Sequence, residues 1–249
     1  QGPLATENGS FCGTIGHIGV FSLNYHKHIH TGEGGICATN DDTLGRRLKM
    51  IRNHAEAVVE AAEETDLTNM VGFNFRMTEM SAAVGLAQLE NAEHHIGKRE
   101  HVAHRLTAEL SDLEGLHMPY VRPDCRHVYY LWYGTYDEKT TGVRREVFAD
   151  ALKAEGIPAL QGYLRPLYRL AVFRNRIAIG RDGFPFTLSD RKYEDGLCPV
   201  AERLHEKTLL GVETCSYEMS DDVIDMYVQA FRKVHANLPA LKRHQEAQG

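Results

Sequence analysis

The sequence lacks any apolar run that approaches the ~20 residues a membrane-spanning helix needs. It also lacks a basic segment followed by an apolar one at its start, which would be typical of a secretory leader. Positive charge is not in excess, because 28 Lys and Arg stand against 34 Asp and Glu, for a formal charge of -6. The net charge of the protein therefore gives no electrostatic attraction for a polyanion such as nucleic acid. We expect a soluble, cytoplasmic protein that binds neither membrane nor nucleic acid.

Cysteine is scarce, and its five residues never form a C-x-x-C pair. They are scattered along the chain at positions Cys12, Cys37, Cys125, Cys198 and Cys215. This odd number and wide spacing argue against a disulfide scaffold and against a zinc site. His26, His28 and His30 alternate in a way that suggests metal ligands, but Lys27 between them would repel a cation. We predict no metal site.

The composition of 43% hydrophobic and 25% charged residues is that of an ordinary globular protein and excludes a disordered or fibrous one. Residues 115–125 contain Pro119 and Pro123, which break helical pattern. We place a domain boundary here. The prediction is a first domain over residues 1–114 and a smaller second domain over residues 115–249.

In the first domain, residues 17–21 and 35–39 are β-branched and apolar, which predicts two buried strands joined by a polar loop. Residues 41–53 have the capping and charge pattern of a helix. The stretch 54–65 fits either a helix or a surface loop with one helical turn. From Thr78, which fits an N-cap, an apolar stripe at helical period predicts one or two long helices that end near Leu113.

The second domain has an α+β pattern. Residues 127–136 predict an aromatic strand, residues 144–153 a helix and residues 156–159 a short strand. Two further amphipathic helices are predicted at residues 199–209 and 221–235.

The segment from Gly13 to Gly35 is the most informative part of the chain. It delivers Ser22 and then Lys27 from the end of a predicted strand, and three glycines follow that let backbone approach a ligand. A partly desolvated lysine can lose its proton and form an imine, whereas a solvated lysine stays protonated. The residues alone leave both possibilities open.

Three segments together carry a resemblance to a known family. They are residues 21–35 (FSLNYHKHIHTGEGG), 72–80 (GFNFRMTEM) and 82–89 (AAVGLAQL). The chain resembles the DegT/DnrJ/EryC1/StrS sugar aminotransferases, which are fold-type I enzymes dependent on pyridoxal 5'-phosphate (PLP). Residues 155–159 (EGIPA) and 201–205 (AERLH) extend the resemblance toward the C-terminus.

This resemblance implies an α/β fold: part of a fold-type I large domain, with a mixed, mostly parallel sheet and helices, plus a small α+β C-terminal domain. It implies that Lys27 forms the internal aldimine with PLP and shuttles a proton, and that Ser22 binds the cofactor phosphate. Asn74 matches an asparagine that reaches the phosphate in the neighbouring subunit, which implies a homodimer with shared active sites. Gln1 falls where the family has a cofactor-binding Gln or His.

Two departures from the family pattern matter. The aspartate that pairs with the pyridine nitrogen would precede Gln1, so we expect these residues to be part of a longer protein. At the mouth of the site, Gly162 and Tyr163 stand where many members have His-Tyr. We take Tyr163, Arg165 and Arg76 as candidate substrate-binding residues.

Several polar residues near these motifs keep two interpretations. Four arginines follow one another closely in the second domain. They could line an anionic-substrate pocket, or they could be solvated side chains on a loop: Arg165, Arg169, Arg174 and Arg176. Glu33 either orients the lysine loop or serves only its turn.

The resemblance predicts a transaminase that moves an amino group from glutamate or glutamine to a keto sugar, usually nucleotide-linked, through a pyridoxal/pyridoxamine cycle. The alternative is a non-catalytic or regulatory PLP-fold subunit that pairs with an active paralogue. A dinucleotide-binding oxidoreductase is excluded, because Gly13, Gly16 and Gly19 precede a predicted strand instead of following one.

Overall fold

A computed structural model describes residues 1–248. The strands in chain order are β1 (Thr6–Glu7), β2 (Ser10–Phe11), β3 (Gly19–Ser22), β4 (Gly35–Ala38), β5 (Leu116–His117), β6 (Cys125–Arg126), β7 (Leu131–Tyr136), β8 (Leu160–Gln161) and β9 (Leu209–Glu213). The α-helices are α1 (Asp42–Arg52), α2 (Ala57–Ala61), α3 (Glu79–Glu90), α4 (Ala92–Leu110), α5 (Glu138–Thr141), α6 (Arg145–Ala154), α7 (Ala171–Arg174), α8 (Pro199–Arg203), α9 (Asp221–Ala236) and α10 (Leu238–Gln248).

The chain divides into two compact units. The first comprises Gln1–Val102, Val121–Tyr130 and Thr214–Glu218, and the second comprises the remaining described residues. Helix α4 contributes residues to both units. The assignment of residues 1–114 to a large domain and of 115–249 to a small domain stays a prediction.

The first unit contains a two-stranded sheet, β3–β4, and a three-stranded sheet in the order β2-β1-β6. Leu23, Ile29 and Ala92 form a buried cluster, which places the loop after β3 against the start of α4. Helix α3 begins after Thr78, whose side chain accepts a hydrogen bond from the backbone N–H of Ser81 as predicted for an N-cap.

The second unit is built on a four-stranded antiparallel sheet in the order β5-β7-β9-β8. Its core is aromatic: the rings of Trp132 and Phe231 lie 6.2 Å apart edge to face, and those of Tyr136 and Phe148 lie 5.0 Å apart. The indole N–H of Trp132 donates to Thr107 Oγ1 at 2.9 Å. A single turn of π-helix at Leu204–Thr208 leads into β9.

Most predicted elements are present within a few residues of their expected bounds. The helix predicted over 41–53 is α1, the long apolar stripe is α3 and α4, and the undecided stretch 54–65 contains only the short helix α2. The strand predicted over 127–136 begins later, at Leu131. Helix α10 was not predicted. In residues 1–248 no helix is both long and apolar enough to cross a bilayer.

Two features of the sheets differ from the expected pattern. Every strand pair in residues 1–248 is antiparallel, whereas the resemblance implies a mixed, mostly parallel sheet for the whole large domain, of which this chain is expected to hold only a part. The reason at β3 and β4 is that the connecting loop contains no crossover helix, which a parallel pair would need. The same two strands were expected to be buried, yet Val20 is 72% and Ile36 is 46% exposed. Within the described chain they pair only with each other.

Candidate active site on the lysine loop

The loop between β3 and β4, residues 23–34, carries Lys27, and we call it the lysine loop. Its two ends are closed by backbone bonds: Leu23 N–H donates to the Gly34 carbonyl at 2.9 Å, and Thr31 N–H donates to the Leu23 carbonyl at 3.0 Å. A turn within it is fixed by the Lys27 N–H, which donates to the Asn24 carbonyl at 3.0 Å. The loop is therefore a defined structure anchored to a hairpin.

Side chains also join the two ends of the lysine loop. Asn24 Nδ2 donates to Glu33 Oε1 at 2.7 Å, and the Asn24 backbone N–H lies 3.3 Å from Ser22 Oγ. Glu33 follows Gly32, whose φ of +81° is the left-handed conformation that glycine adopts most readily. Of the two interpretations of Glu33, this geometry supports the one in which it orients the loop.

Lys27 is buried, with 8% of its surface exposed. Its Nζ lies 3.3 Å from Nε2 of His26 and 4.2 Å from the centroid of the Tyr130 ring. Within residues 1–248 no carboxylate forms an ion pair with it. Of the two states that the sequence left open for this lysine, the structure has the desolvated one.

His28 anchors the other side of the lysine. Its Nε2 donates to the Val128 carbonyl oxygen at 2.6 Å, and its Nδ1 is buried with no hydrogen-bond partner. Burial lowers the pKa of His28 to about 4, the bond to Val128 opposes this shift, and the nearby Arg99 charge adds to it. His28 is thus a neutral group that ties the lysine loop to the backbone at Val128. No cluster of metal-ligating side chains occurs in the described part of the chain.

A cavity of about 270 Å³ brings three predicted site residues together: Gln1, Ser22 and Lys27. Most of the rest of its wall is apolar, including Phe11, Phe21, Ile36 and Leu89. An amine and a hydroxyl that face a mostly apolar space match the pattern of small-molecule sites, in which few polar groups fix the ligand.

Asn74 and Arg76 do not line this cavity. Arg76 Nε donates to Asn74 Oδ1 at 3.0 Å, and Arg76 Nη1 donates to Asn53 Oδ1 at 2.9 Å. Asn74 is also paired with Asn53 through an isolated β-bridge. The two predicted site residues therefore belong to a separate, exposed polar cluster of the first unit.

Tyr163 and Arg165 lie in the second unit, and both are exposed. Gly162 before them has a φ of +62°, and its carbonyl accepts a hydrogen bond from the Tyr133 hydroxyl at 2.7 Å. This contact holds the start of the segment in place.

Of the two interpretations of the four arginines, the anionic-substrate pocket does not hold for three of them. Arg169 and Arg174 both pair with Asp195, and Arg176 donates to backbone carbonyls of the following loop. Their guanidinium groups are occupied within the chain and do not form an open anion site. Of the four arginines, Arg165 remains a candidate substrate-binding residue.

Sequence reasoning did not identify Tyr130 or His26 as site residues. The sequence pattern offers His26 only as one of three alternating histidines around Lys27, and it places Tyr130 in an aromatic strand. A local spacing rule could not have found Tyr130, because it is far from Lys27 along the chain.

Comparison with known proteins follows the geometry. The family model of the DegT/DnrJ/EryC1/StrS aminotransferases matches residues 1–211. GDP-perosamine synthase of Caulobacter vibrioides is 35% identical over 154 residues, which are 61% of this chain and 40% of that protein. Spore coat polysaccharide biosynthesis protein SpsC of Bacillus subtilis is 27% identical over 230 residues, covering 89% of this chain and 54% of that one.

Among solved structures, an aminotransferase from Psychrobacter cryohalolentis superposes with a TM-score of 0.76 at 26% identity, over 94% of this chain and 60% of that one. The chain thus spans about half the length of the relatives it matches. The α/β, fold-type I class is confirmed by these structural neighbours. The chain belongs to the DegT/DnrJ/EryC1/StrS aminotransferase family, whose members depend on PLP.

Proposed function

We propose that this protein is a PLP-dependent aminotransferase that moves an amino group from glutamate or glutamine to a keto sugar. The observation that carries the proposal is the shared cavity of Lys27 and Ser22, in which the lysine is almost fully buried. Family membership supports the reaction class.

The residues present fit this cofactor. Lys27 offers an amine at the cavity wall, Ser22 offers a hydroxyl that can donate to a phosphate oxygen, and Gln1 adds a polar group. When bound, PLP supplies the electron sink that makes transamination possible.

Lys27 then performs two tasks that need a buried amine. Its amine would hold the cofactor when PLP is bound, and once free of the cofactor the same amine would be placed to accept and return a proton at Nζ. His26 Nε2 lies 3.3 Å from Nζ, within hydrogen-bond distance of the amine, and its ring is only half-buried.

The substrate is proposed to be a nucleotide-linked keto sugar. The name of the Caulobacter relative, GDP-perosamine synthase, supports this class. Tyr163, Arg165 and Arg76 are the side chains proposed to contact it, since all three are exposed and offer hydrogen-bond donors.

The working unit is proposed to be a cytoplasmic homodimer in which Asn74 serves the cofactor of the neighbouring subunit. Its absence from the wall of the Lys27 cavity is compatible with such a role. The free state of all five cysteines agrees with a reducing compartment.

A non-catalytic PLP-fold subunit is the alternative. It is not favoured, because such a subunit would have no need to keep a buried lysine and a serine hydroxyl on one cavity wall.

The test is covalent trapping. The purified protein is incubated with PLP, reduced with borohydride and mapped by peptide mass. We expect the label on Lys27, and Lys27→Ala should abolish both label and transamination. Lys49→Ala, at an exposed position of α1, is the matched control and should change neither. A label on any other lysine would reject the assignment.

A further inference from the structure

Tyr130 faces the buried amine of Lys27 although the two residues come from distant parts of the sequence. The Lys27 Nζ lies 4.2 Å from the centroid of the Tyr130 ring. The face of an aromatic ring carries negative charge density, so it attracts a cation at this distance.

The backbone around Tyr130 is held by buried hydrogen bonds, so the ring position does not depend on its own side-chain torsions alone. His28 donates to the Val128 carbonyl at 2.6 Å, and Thr214 Oγ1 donates to the Tyr129 carbonyl at 2.5 Å. Tyr129 itself has a φ of +47°, a conformation that non-glycine residues seldom adopt. The fold therefore fixes the backbone immediately before Tyr130 against the lysine loop.

A buried ammonium normally needs a counter-charge, because desolvation penalises an isolated ion. Lys27 has no carboxylate partner in residues 1–248. The titratable side chains near it are those of His26 at 3.3 Å, His28 next to it in the chain, Cys215 and Tyr130 itself. None of these side chains carries a carboxylate. The ring face of Tyr130 at 4.2 Å therefore adds to the contact with His26 Nε2 in stabilising the amine.

We propose that Tyr130 is a positioning residue: its ring face holds the Nζ of Lys27 at the cavity and favours the charged state of the amine whenever it is not bound to the cofactor. This inference rests on the proposed function, because it assigns Tyr130 a role toward the lysine of that site. Tyr130 makes no bond to the cofactor in this proposal and acts only through Lys27.

Three substitutions separate the ring face from the hydroxyl. Tyr130→Phe keeps the face, whereas Tyr130→Leu and Tyr130→Met remove it. Tyr120→Leu, at a residue that is 82% exposed, is the control for loss of a tyrosine. For each variant the cofactor-free protein is treated with PLP and borohydride across a pH series, and the label on Lys27 is quantified by peptide mass. Melting temperature is recorded alongside.

Only the neutral amine reacts, so loss of the ring face should let Lys27 react at lower pH. We expect the pH of half-maximal labelling to fall by about 0.5 to 1.5 units in Tyr130→Leu and Tyr130→Met. This shift corresponds to the loss of one cation–π contact. Tyr130→Phe and Tyr120→Leu should match the wild type. If Leu does not fold, the Met variant decides, since its flexible side chain fills the same space without a ring.

The proposal is overturned if the ringless variants label with the wild-type pH profile, or if Phe shifts the profile as far as Leu does. A labelling defect that tracks melting temperature alone would also overturn it, because that is the signature of a structural role. Absence of label on Lys27 in the wild type would instead reject the proposed function, so the two failures are distinguishable.

Discussion

His28 Nε2 donates a hydrogen bond of 2.6 Å to the carbonyl oxygen of Val128. This one bond joins the lysine loop to the segment that presents Tyr130, and both of its atoms are buried. Since the carbonyl can only accept, Nε2 must carry the proton, and the buried Nδ1 of the neutral ring stays without one. A hydrogen bond made by the neighbour of Lys27 therefore shapes the surroundings of the lysine.

The buried neutral state of His28 makes the stability of the fold depend on pH. Burial lowers its pKa in the folded protein to about 4, below the 6.5 of an unperturbed histidine. Between these two values the unfolded chain binds a proton that the folded chain does not, so stability falls as pH decreases from 6.5 toward 4. We expect this group to remove about 3 kcal/mol of unfolding free energy across that window, and nothing above pH 7.

Urea unfolding at pH 7 and at pH 5 measures this effect. His28→Gln keeps an amide donor for the Val128 carbonyl but cannot titrate, so its stability should change less between the two pH values than that of the wild type. His94→Gln, at an exposed position of α4, is the control. An equal pH dependence in all three proteins would contradict the assignment.

The contact between Asn24 and Glu33 should matter for the reactivity of Lys27. Glu33→Ala removes the acceptor of the 2.7 Å bond from Asn24 Nδ2, and we expect slower labelling of Lys27 by PLP together with a lower melting temperature. A hydrogen bond to a charged group contributes about 1.5–3 kcal/mol, so a loss of about tenfold in the labelling rate is expected. Glu33→Gln keeps an acceptor and should recover most of it.

Glu60→Ala serves as the comparison for Glu33, because Glu60 is an exposed glutamate of the first unit. Unchanged labelling in Glu33→Ala would mean that this residue serves only its turn.

The proposed role of Asn74 across a dimer interface predicts complementation. Lys27→Ala and Asn74→Ala homodimers should each be inactive. After subunit exchange, hybrid dimers contain one site with both native residues, so a one-to-one mixture should recover about a quarter of wild-type activity. Mixtures of each variant with itself are the controls. Subunit exchange is verified by mass labelling. If exchange occurs and activity does not recover, the result counts against a shared site.

Arg145 is the charged residue of the second unit whose substitution should lower the unfolding free energy most. It is 4% exposed, and its guanidinium donates to a set of backbone carbonyls at the π-helical turn before β9: Leu204, His205, Glu206 and Leu209. Arg145→Met leaves these acceptors without their donor, and we expect unfolding free energy to fall by about 3 kcal/mol.

The measurement for Arg145 is chemical unfolding monitored by the fluorescence of Trp132, which lies in the same unit. Arg203→Met, at an exposed arginine of α8, should be neutral. Arg145→Lys should recover little, because a lysine lacks the fork geometry that reaches several carbonyls at once.

Much of the local structure could be predicted from the sequence. Helical period and the Thr78 cap predicted α3 and α4, and the apolar pattern of the second unit predicted α6 and α9 close to their bounds. These elements follow from interactions over three or four residues, which a sequence displays directly. Composition reports the apolarity of β3 and β4 and not what covers them, and the chain spans about half the length of its relatives, so the burial of these two strands stays a prediction.

The lysine loop shows the same division. The segment from Ser22 to Gly35 could be recognised as a ligand loop, because it belongs to one hairpin and its connection, whereas the roles of Ser22 and Lys27 were implied by the family resemblance. The sequence by itself thus determined the family, the reactive lysine and the phosphate-binding serine as candidates. The tertiary structure alone decided that the ring of Tyr130 lies over Lys27, that His28 is bound to Val128, and that three arginines are already paired. The physical reason is that the electrostatic surroundings of a buried group come from segments that only folding brings together.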